Sequence, residues 1–250
     1  MIRVSASAFD ILWADLGHAG VPAPLCVPSV GVTEAERAAV REAVYDNLAE
    51  RGLLVDGVVE PELVTRLAVL AGAEATVECE ALLDMDDPEP LRAVAAARDG
   101  LGVLAAQPRR TIGLSEIGEG ELVAAAVGVL PELEPGPGYG VSLPASALGS
   151  AMADPVFDEG GADDLSAAHA QQIREVLAIQ ARPVLAAGQF SVCVRAGGRP
   201  RRLGGVSWFH TDVGAYLGAV APGRGGQDWL TVAPTDSVRL AGRLADFLTG

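Results

Sequence analysis

Apolar residues recur at helical spacing in several stretches of the 250-residue chain. Phe9, Leu12, Trp13 and Leu16 follow the i, i+3, i+4, i+7 pattern of one helical face, which predicts a short helix there. Similar apolar stripes predict further helices near residues 33–51, 61–72, 122–130, 166–185 and 238–248.

The second and third of these helices carry clear start and stop signals. Thr33, followed three residues later by Glu36, has the spacing of a capping box. Gly52 is placed to end that helix in the left-handed conformation, and Pro61 suits the first turn of the next helix. We therefore expect both helices to begin and end close to these residues.

Elsewhere the apolar period falls to two, which is typical of strands. Asp99-Gly100 is a strong two-residue hairpin signal between two of these runs, and such short connections favour antiparallel pairing. The alternating runs predict main strands over 76–83, 91–97, 102–107, 110–117, 189–196, 200–211, 214–220 and 228–234, and short strands over 2–5, 25–27 and near 141.

The order of a helix, four strands and a helix occurs twice along the chain. The best local match aligns 97–107 with 210–220. We therefore predict an α+β fold with a central antiparallel sheet flanked by helices. Two similar subdomains, residues 1–135 and 136–250, are expected to be related by a pseudo-twofold axis within a single domain, joined by the proline- and glycine-rich linker 131–140.

Charge and composition narrow the function classes. The chain has 18 arginines, no lysine and 33 acidic residues, which gives a net charge of −15 and disfavours nucleic-acid and anionic-membrane binding. No segment is both long and apolar enough to span a bilayer, and the N-terminus does not resemble a signal peptide. Three widely spaced cysteines favour a reducing cytoplasm. The acidic segment 153–164 is predicted to be an exposed loop.

No constellation in the sequence predicts catalysis. Ser207, His210 and Asp212 are the residue types of a hydrolase triad, but they are too close along one strand and turn to converge. Cys79 and Cys193 occupy equivalent strand positions without a second ligand at metal-like spacing, so burial is the favoured interpretation. We therefore expect no enzymatic activity, no metal and no cofactor.

A cluster of arginines at 199, 201 and 202 is unusual in so acidic a chain. Anion binding is one interpretation. A solvated strand edge is the favoured one, because charged edges discourage edge-to-edge aggregation.

The chain resembles the EspG family, the cytosolic chaperones of ESX (type VII) secretion in mycobacteria and related actinobacteria. Gly188-Gln189-Phe190, then Ser207-Trp208, Thr211-Asp212 and Tyr216, are the most specific parts of this resemblance. The stretches that carry it are AFDILWADLG (8–17), VPSVGVTEAER (27–37), GQFSVCVRAGGRPRRLGGVSWFHTDVGAYL (188–217), WLTVAPTD (229–236) and RLAGRLADFL (239–248).

The resemblance implies an α+β fold and a binding function without catalysis. Members of the family bind a PE–PPE heterodimer at the exposed helical tip of the PPE subunit and keep it soluble until secretion. Their binding surface uses the central sheet, the loop after the early strands and helices of the C-terminal half. In this chain that loop, 84–90, is short, and the substrate expected is a PE–PPE-like or other helical-hairpin protein.

We expect the second-half sheet to form the partner-binding site, because aromatic side chains are favoured interface anchors. Alternation along a strand sends Trp208 and Phe209 to opposite faces, so one of them is expected in the core. The residues predicted to bind the partner are Gln189, Phe190, Trp208, His210, Asp212, Tyr216 and Trp229.

An alternative function remains open from the sequence. A non-catalytic small-molecule-binding or regulatory domain would use the cleft between the two halves, and a deep apolar pocket with convergent polar groups would favour it. A flat sheet face would favour the chaperone. In either case we expect a cytoplasmic monomer or weak dimer that does not insert into membranes.

Overall fold

The strand-like runs of both halves pair into one continuous antiparallel sheet. The computed structural model describes residues 1–145, 164–223 and 227–249. Within these residues the sheet has ten strands in the order β1-β7-β6-β5-β4-β9-β10-β11-β12-β8, and β2 and β3 form a separate hairpin. The strands are β1 (Ile2–Ser5), β2 (Leu54–Val55), β3 (Val58–Val59), β4 (Ala75–Leu82), β5 (Leu91–Arg98), β6 (Leu101–Gln107), β7 (Thr111–Gly118), β8 (Val141–Pro144), β9 (Val184–Ala196), β10 (Arg199–Thr211), β11 (Gly214–Pro222) and β12 (Asp228–Pro234).

The helices begin where the sequence signals place them. The capping box is present: Thr33 Oγ1 accepts a hydrogen bond from the Glu36 amide at 3.2 Å, and Glu36 Oε2 accepts one from the Thr33 amide at 3.0 Å. Pro61 occupies the first turn of its helix. The helices of the described residues are α1 (Ala6–Asp15), α2 (Glu34–Glu50), α3 (Pro61–Gly72), α4 (Leu122–Val127), α5 (Asp164–Gln180) and α6 (Ser237–Thr249).

The two halves of the chain contribute the two halves of the sheet. β4 to β7 form a meander with β1 at its outer edge, and β9 to β12 form a second meander with β8 at the opposite edge. The halves join where β4 pairs with β9, from Ala75 opposite Val194 to Leu82 opposite Ala187. The predicted α+β fold with its antiparallel sheet and flanking helices is confirmed, while the pseudo-twofold axis and the subdomain boundaries stay predictions.

Helices cover the two faces of the sheet unequally. On one face, here called the α4/α6 face, α4 and α6 pack over β4, β5, β9 and β10 around buried side chains of both halves. On the other face, here called the α1/α5 face, α1 and α3 cover β5 to β7 at one side with α2 packed against α1, and α5 packs against β8 at the other side. The centre of the α1/α5 face has no covering helix among the described residues.

The helix predicted over 166–185 ends earlier than expected. α5 stops at Gln180, and Val184 and Leu185 begin β9 instead. Pro183 explains the difference, because a proline disfavours helical backbone at the residue before it and cannot donate to the helix ladder. Val184 and Leu185 therefore belong to a strand and do not continue the apolar stripe of the helix.

Two short elements also differ from expectation. Residues 25–27 form no strand; the buried Gln107 side chain instead bonds the Cys26 backbone twice, with Oε1 2.8 Å from its amide and Nε2 2.8 Å from its carbonyl oxygen. The β2–β3 hairpin was not predicted, although its Asp56-Gly57 turn has the positive φ angles of a two-residue hairpin. The predicted loop 153–164 lies almost entirely outside the described residues.

The linker 131–140 is irregular but attached to the sheet. Pro135 forms an isolated parallel bridge with Ala215, and the Tyr216 hydroxyl donates to the Pro137 carbonyl oxygen at 3.1 Å. Gly136 lies against the Tyr216 ring so closely that an added Cβ would stand 2.3 Å from it. This segment is therefore a structured crossing from one half of the sheet to the other.

None of the helices in residues 1–145, 164–223 and 227–249 is long and apolar enough to cross a bilayer.

The core beneath α6 gives a test of the fold. Leu240 of α6 is fully buried against the sheet, whereas Val238, two residues earlier, is 82% exposed. We expect Leu240→Ala to lower the free energy of unfolding by about 2–5 kcal/mol, because it leaves a cavity. Val238→Ala should change it by less than about 0.5 kcal/mol. Urea unfolding followed by circular dichroism measures both, and equal effects would contradict this packing.

Candidate functional site

The open centre of the α1/α5 face is lined by polar side chains from three adjacent strands. Glu78 and Glu80 of β4, Gln189 and Ser191 of β9, and Ser207 of β10 point to this face, because their strand neighbours are buried on the other. Register places Glu80, Gln189 and Ser207 side by side across the three strands. We call these five residues the central strip.

The central strip carries charge that is only partly compensated. Arg92 of β5 reaches Glu80 with Nε 3.2 Å from Oε1. Burial raises the pKa of Glu78, while a hydrogen bond from Thr76 and the charge of Arg202 act against that shift. The strip therefore presents hydrogen-bonding and acidic groups on a flat surface rather than a catalytic constellation.

An exposed apolar patch lies at the end of the same strands. Leu83 and Met85 follow β4, Val184 and Leu185 begin β9, and the Met85 amide donates to the Leu185 carbonyl oxygen at 3.1 Å. Their exposures range from 36% for Val184 to 48% for Leu185. We call these four residues the apolar end patch; groups of exposed apolar residues are typical of interaction sites.

Three of the seven predicted partner-binding residues are buried. Phe190 and Trp208 lie on the α4/α6 face beneath the helices, at 0% and 1% exposure. Tyr216 lies on the opposite face, where its ring stacks on Phe209 at 5.6 Å between centroids. Of the pair Trp208 and Phe209, the structure therefore places Trp208 in the main core and leaves Phe209 half-buried.

The other four predicted residues do not lie together. Gln189 belongs to the central strip, and Asp212 occupies the β10–β11 turn, where Arg182 Nη1 is 3.2 Å from its Oδ2. Half-buried His210 and Trp229, which is 36% exposed, project on the α4/α6 side by the alternation of their strands. The structure thus places one of the seven on the central strip, and their role as partner contacts stays a prediction.

Sequence reasoning missed most of the central strip and the apolar end patch. The signal for the strip was present in the sequence of β4, where T-V-E-C-E-A alternates polar and apolar residues and so gives the strand one polar face. The patch had no local signal, because Leu83 and Leu185 come together only through the pairing of β4 with β9.

The junction of the two halves also contains a cavity of about 550 Å³. It lies between the loop 17–23 and the β9–β10 hairpin. Two of its arginines are engaged by the protein: Arg98 Nε is 3.0 Å from Asp99 Oδ2, and Arg195 Nε donates to the Ala73 carbonyl oxygen at 3.0 Å. This is where the alternative small-molecule function would have to act. The rest of the lining, mostly glycine and alanine with Glu74 and Glu78, does not single out a ligand.

Two of the three residues with the side chains of a hydrolase triad, Ser207 and His210, lie on opposite faces of the sheet. Ser207 projects on the α1/α5 face, and His210 on the opposite one. Among the described residues, no group of three or more histidine, cysteine or acidic side chains is arranged to hold a metal ion. Burial raises the pKa of Cys79 to about 12, with the Glu80 charge adding to the shift, and burial also raises the pKa of Cys193.

The whole fold is shared with a solved secretion chaperone. The structure of the Mycobacterium tuberculosis type VII secretion system chaperone EspG5 in complex with the PE25–PPE41 dimer superposes with a TM-score of 0.72. The match covers 99% of this chain and 95% of that one at 16% sequence identity, so it establishes a common fold.

The family is established by the sequence profile rather than by that identity. The profile of the EspG family matches residues 5–246, which is nearly the whole chain. Comparison with curated protein sequences gave no match. The protein therefore belongs to the EspG family, as the resemblance of its motifs predicted.

Burial of Phe190 makes its mutation diagnostic. We expect Phe190→Ala to lower the free energy of unfolding by about 3–5 kcal/mol, because the ring fills the core under α4 and α6. Gln189→Ala, on the open face, should change it by less than about 0.5 kcal/mol. Chemical unfolding curves measure both values. A stable Phe190→Ala protein would show that this side chain is not a core residue.

The cysteines should react with thiol reagents in the order of their exposure. Cys26 is exposed and Cys79 is buried. Because the thiolate is the reactive species, the raised pKa of Cys79 and its burial should protect it at pH 8 until the protein unfolds. Labelling with Ellman's reagent, followed by peptide mass spectrometry, should find Cys26 modified first. Rapid native modification of Cys79 would contradict its position in β4.

Proposed function

We propose that this chain is a cytosolic chaperone of a type VII secretion system that binds the helical tip of a PPE-type substrate and keeps it soluble for export. The observation that carries the proposal is the middle of the α1/α5 face, which no helix of the described residues covers, together with the apolar end patch at the end of the same strands. The proposal includes no catalytic step and no cofactor.

The shape and chemistry of this surface suit a helical hairpin. An apolar tip exposed before export would self-associate in water, and the apolar end patch offers it apolar contact. The glutamates, glutamine and serines of the central strip can bond polar groups beside that tip. An ordinary specific interface of about 800 Å² per partner is sufficient for a stable complex.

Family membership supports the same partner class. The solved relative that shares this fold was determined together with a PE–PPE dimer. We infer that the substrate of this chain is a PE–PPE-like pair or another helical-hairpin secretion substrate. The net charge of −15 would disfavour binding to RNA and favour a neutral or basic tip.

Co-expression with the PE–PPE-like proteins encoded nearby tests the proposal. We expect a soluble heteromer of fixed stoichiometry on gel filtration, and a substrate that precipitates when expressed without this chain. Failure with every such candidate, while the chain itself is folded and monodisperse, would contradict the proposed partner class. Ligand screening of the cavity between the halves would then test the alternative function.

A pair of matched variants tests the surface within that complex. Leu185→Asp places a charge in the apolar end patch, where Leu185 is 48% exposed, and should weaken the complex about tenfold or more. Leu101→Asp is the control, because Leu101 is 46% exposed but lies at the β5–β6 turn, at the other end of the sheet. Calorimetric titration measures both affinities, and equal losses would show that the patch is not the contact.

A further inference from the structure

The sheet is split between β10 and β11. The two strands pair only from Thr211 opposite Gly214 to Ser207 opposite Gly218. Beyond Ser207, residues 199–206 continue to pair with β9 on one side. On the other side no strand of the described residues pairs with them, so alternate backbone amide and carbonyl groups of this segment are left without a ladder partner there.

A cleft occupies the split. Its volume is about 450 Å³, and it opens beside Gln189 and Ser207 of the central strip. Gly204 and Gly205 line it on the β10 side, and Gly218 and the 60% exposed Val220 line it on the β11 side. The Phe247 ring and the Arg202 side chain fill the space beside Gly204 and Gly205, but nothing lies within 4 Å of a Cβ added at Gly218. A glycine with open space around it permits another backbone to approach closely, so an extended chain can enter from the β11 side.

The lip of the cleft lies in the most basic part of an acidic sequence, where Arg202 lines the cleft and Arg199 and Arg201 precede it on β10. Between Glu175 and Asp212 the sequence contains five arginines and no acidic residue. Arg199, Arg201 and Arg202 lie on β10 without a salt bridge to a carboxylate of the described residues, although the charge of Arg202 acts on Glu78. Arg92, Arg109 and Arg182, by contrast, all form salt bridges with acidic side chains.

We propose that an extended acidic peptide segment of a partner protein binds in this cleft as an added strand on residues 199–206 of β10. The exposed backbone of β10 would supply the main-chain hydrogen bonds, the arginines would pair with the acidic side chains, and Val220 would contact an apolar residue of the segment. This site lies beyond the proposed function, since it does not require the helical tip of a PPE-type substrate.

The charges of β10 and of the whole protein favour an acidic peptide over a second copy of this chain or a nucleic acid. A second copy of this chain, pairing edge to edge, would bring its arginines against the same arginines, which is destabilising for directly opposed strand residues. A nucleic acid would meet the same arginines, but the net charge of −15 would repel it at longer range. An acidic peptide satisfies both the open backbone edge and the basic lip.

The direct test is binding of a fluorescein-labelled peptide of about twelve residues, with alternating threonine and glutamate around a central valine, measured by fluorescence anisotropy. We expect saturable binding that weakens about tenfold between ~50 mM and ~500 mM salt, because the contacts are charged. The same peptide with glutamine in place of glutamate should bind about tenfold more weakly. Equal affinity of the two peptides would overturn the proposal, as would tighter binding of a labelled single-stranded oligonucleotide.

Matched variants locate the site. Arg199→Glu combined with Arg201→Glu should reduce peptide affinity tenfold or more. Arg110→Glu combined with Arg174→Glu makes the same change in net charge away from the cleft and should leave affinity within about twofold. Equal losses in the two double variants would mean that only overall charge matters, and would overturn the assignment.

Amide hydrogen exchange gives a readout that does not depend on the variants. On peptide binding, exchange at residues 199–206 of the unmodified protein should slow about tenfold, because an added strand protects amides that faced solvent. Protection elsewhere without protection here would refute strand addition. The experiment uses no PPE-type substrate, so its failure would leave the proposed chaperone function untouched.

Discussion

The antiparallel pairing of β4 with β9 is the contact on which the rest of the structure depends. Eight residue pairs, from Ala75 with Val194 to Leu82 with Ala187, join the halves of the chain into one sheet. This pairing brings Cys79 beside Phe190, so a single core under α4 and α6 contains side chains from both halves. It also aligns Glu80 with Gln189 on the opposite face, which creates the surface proposed to bind the substrate.

The two faces of this sheet differ in how far helices cover them. On the α4/α6 face, buried Val, Ala, Phe and Trp side chains provide the apolar area that stabilises the fold. On the α1/α5 face, helices cover the sides of the sheet, and the polar central strip stays open within the described residues. Because α4 and α6 pack against the α4/α6 face, the strands of the central strip are held in place. A surface that is already rigid loses little conformational freedom when it binds a partner.

Local sequence signals predicted most elements because each is set within a few residues. Thr33 with Glu36 placed the start of α2, and Asp99-Gly100 placed the β5–β6 hairpin. The same signals failed where two periodicities adjoin, as at Pro183, where the apolar stripe of a helix passes into a strand. For the candidate site, Gln189 alone of the seven predicted residues lies on the central strip. Four of the seven are aromatic, and an aromatic side chain in a strand can pack in the core as well as at an interface, so its sequence position does not show which of the two applies.

The sequence by itself determined the element types, the antiparallel α+β class and the family, since periodicity, caps, turn residues and motif order are properties of neighbouring residues along the chain. Only the tertiary structure decided which face of each strand is open. Trp208 and Ser207 are adjacent in sequence, yet one is buried under helices and the other is exposed. Which of them is covered depends on where α4, α5 and α6 pack, and that is fixed by the pairing of strands more than a hundred residues apart.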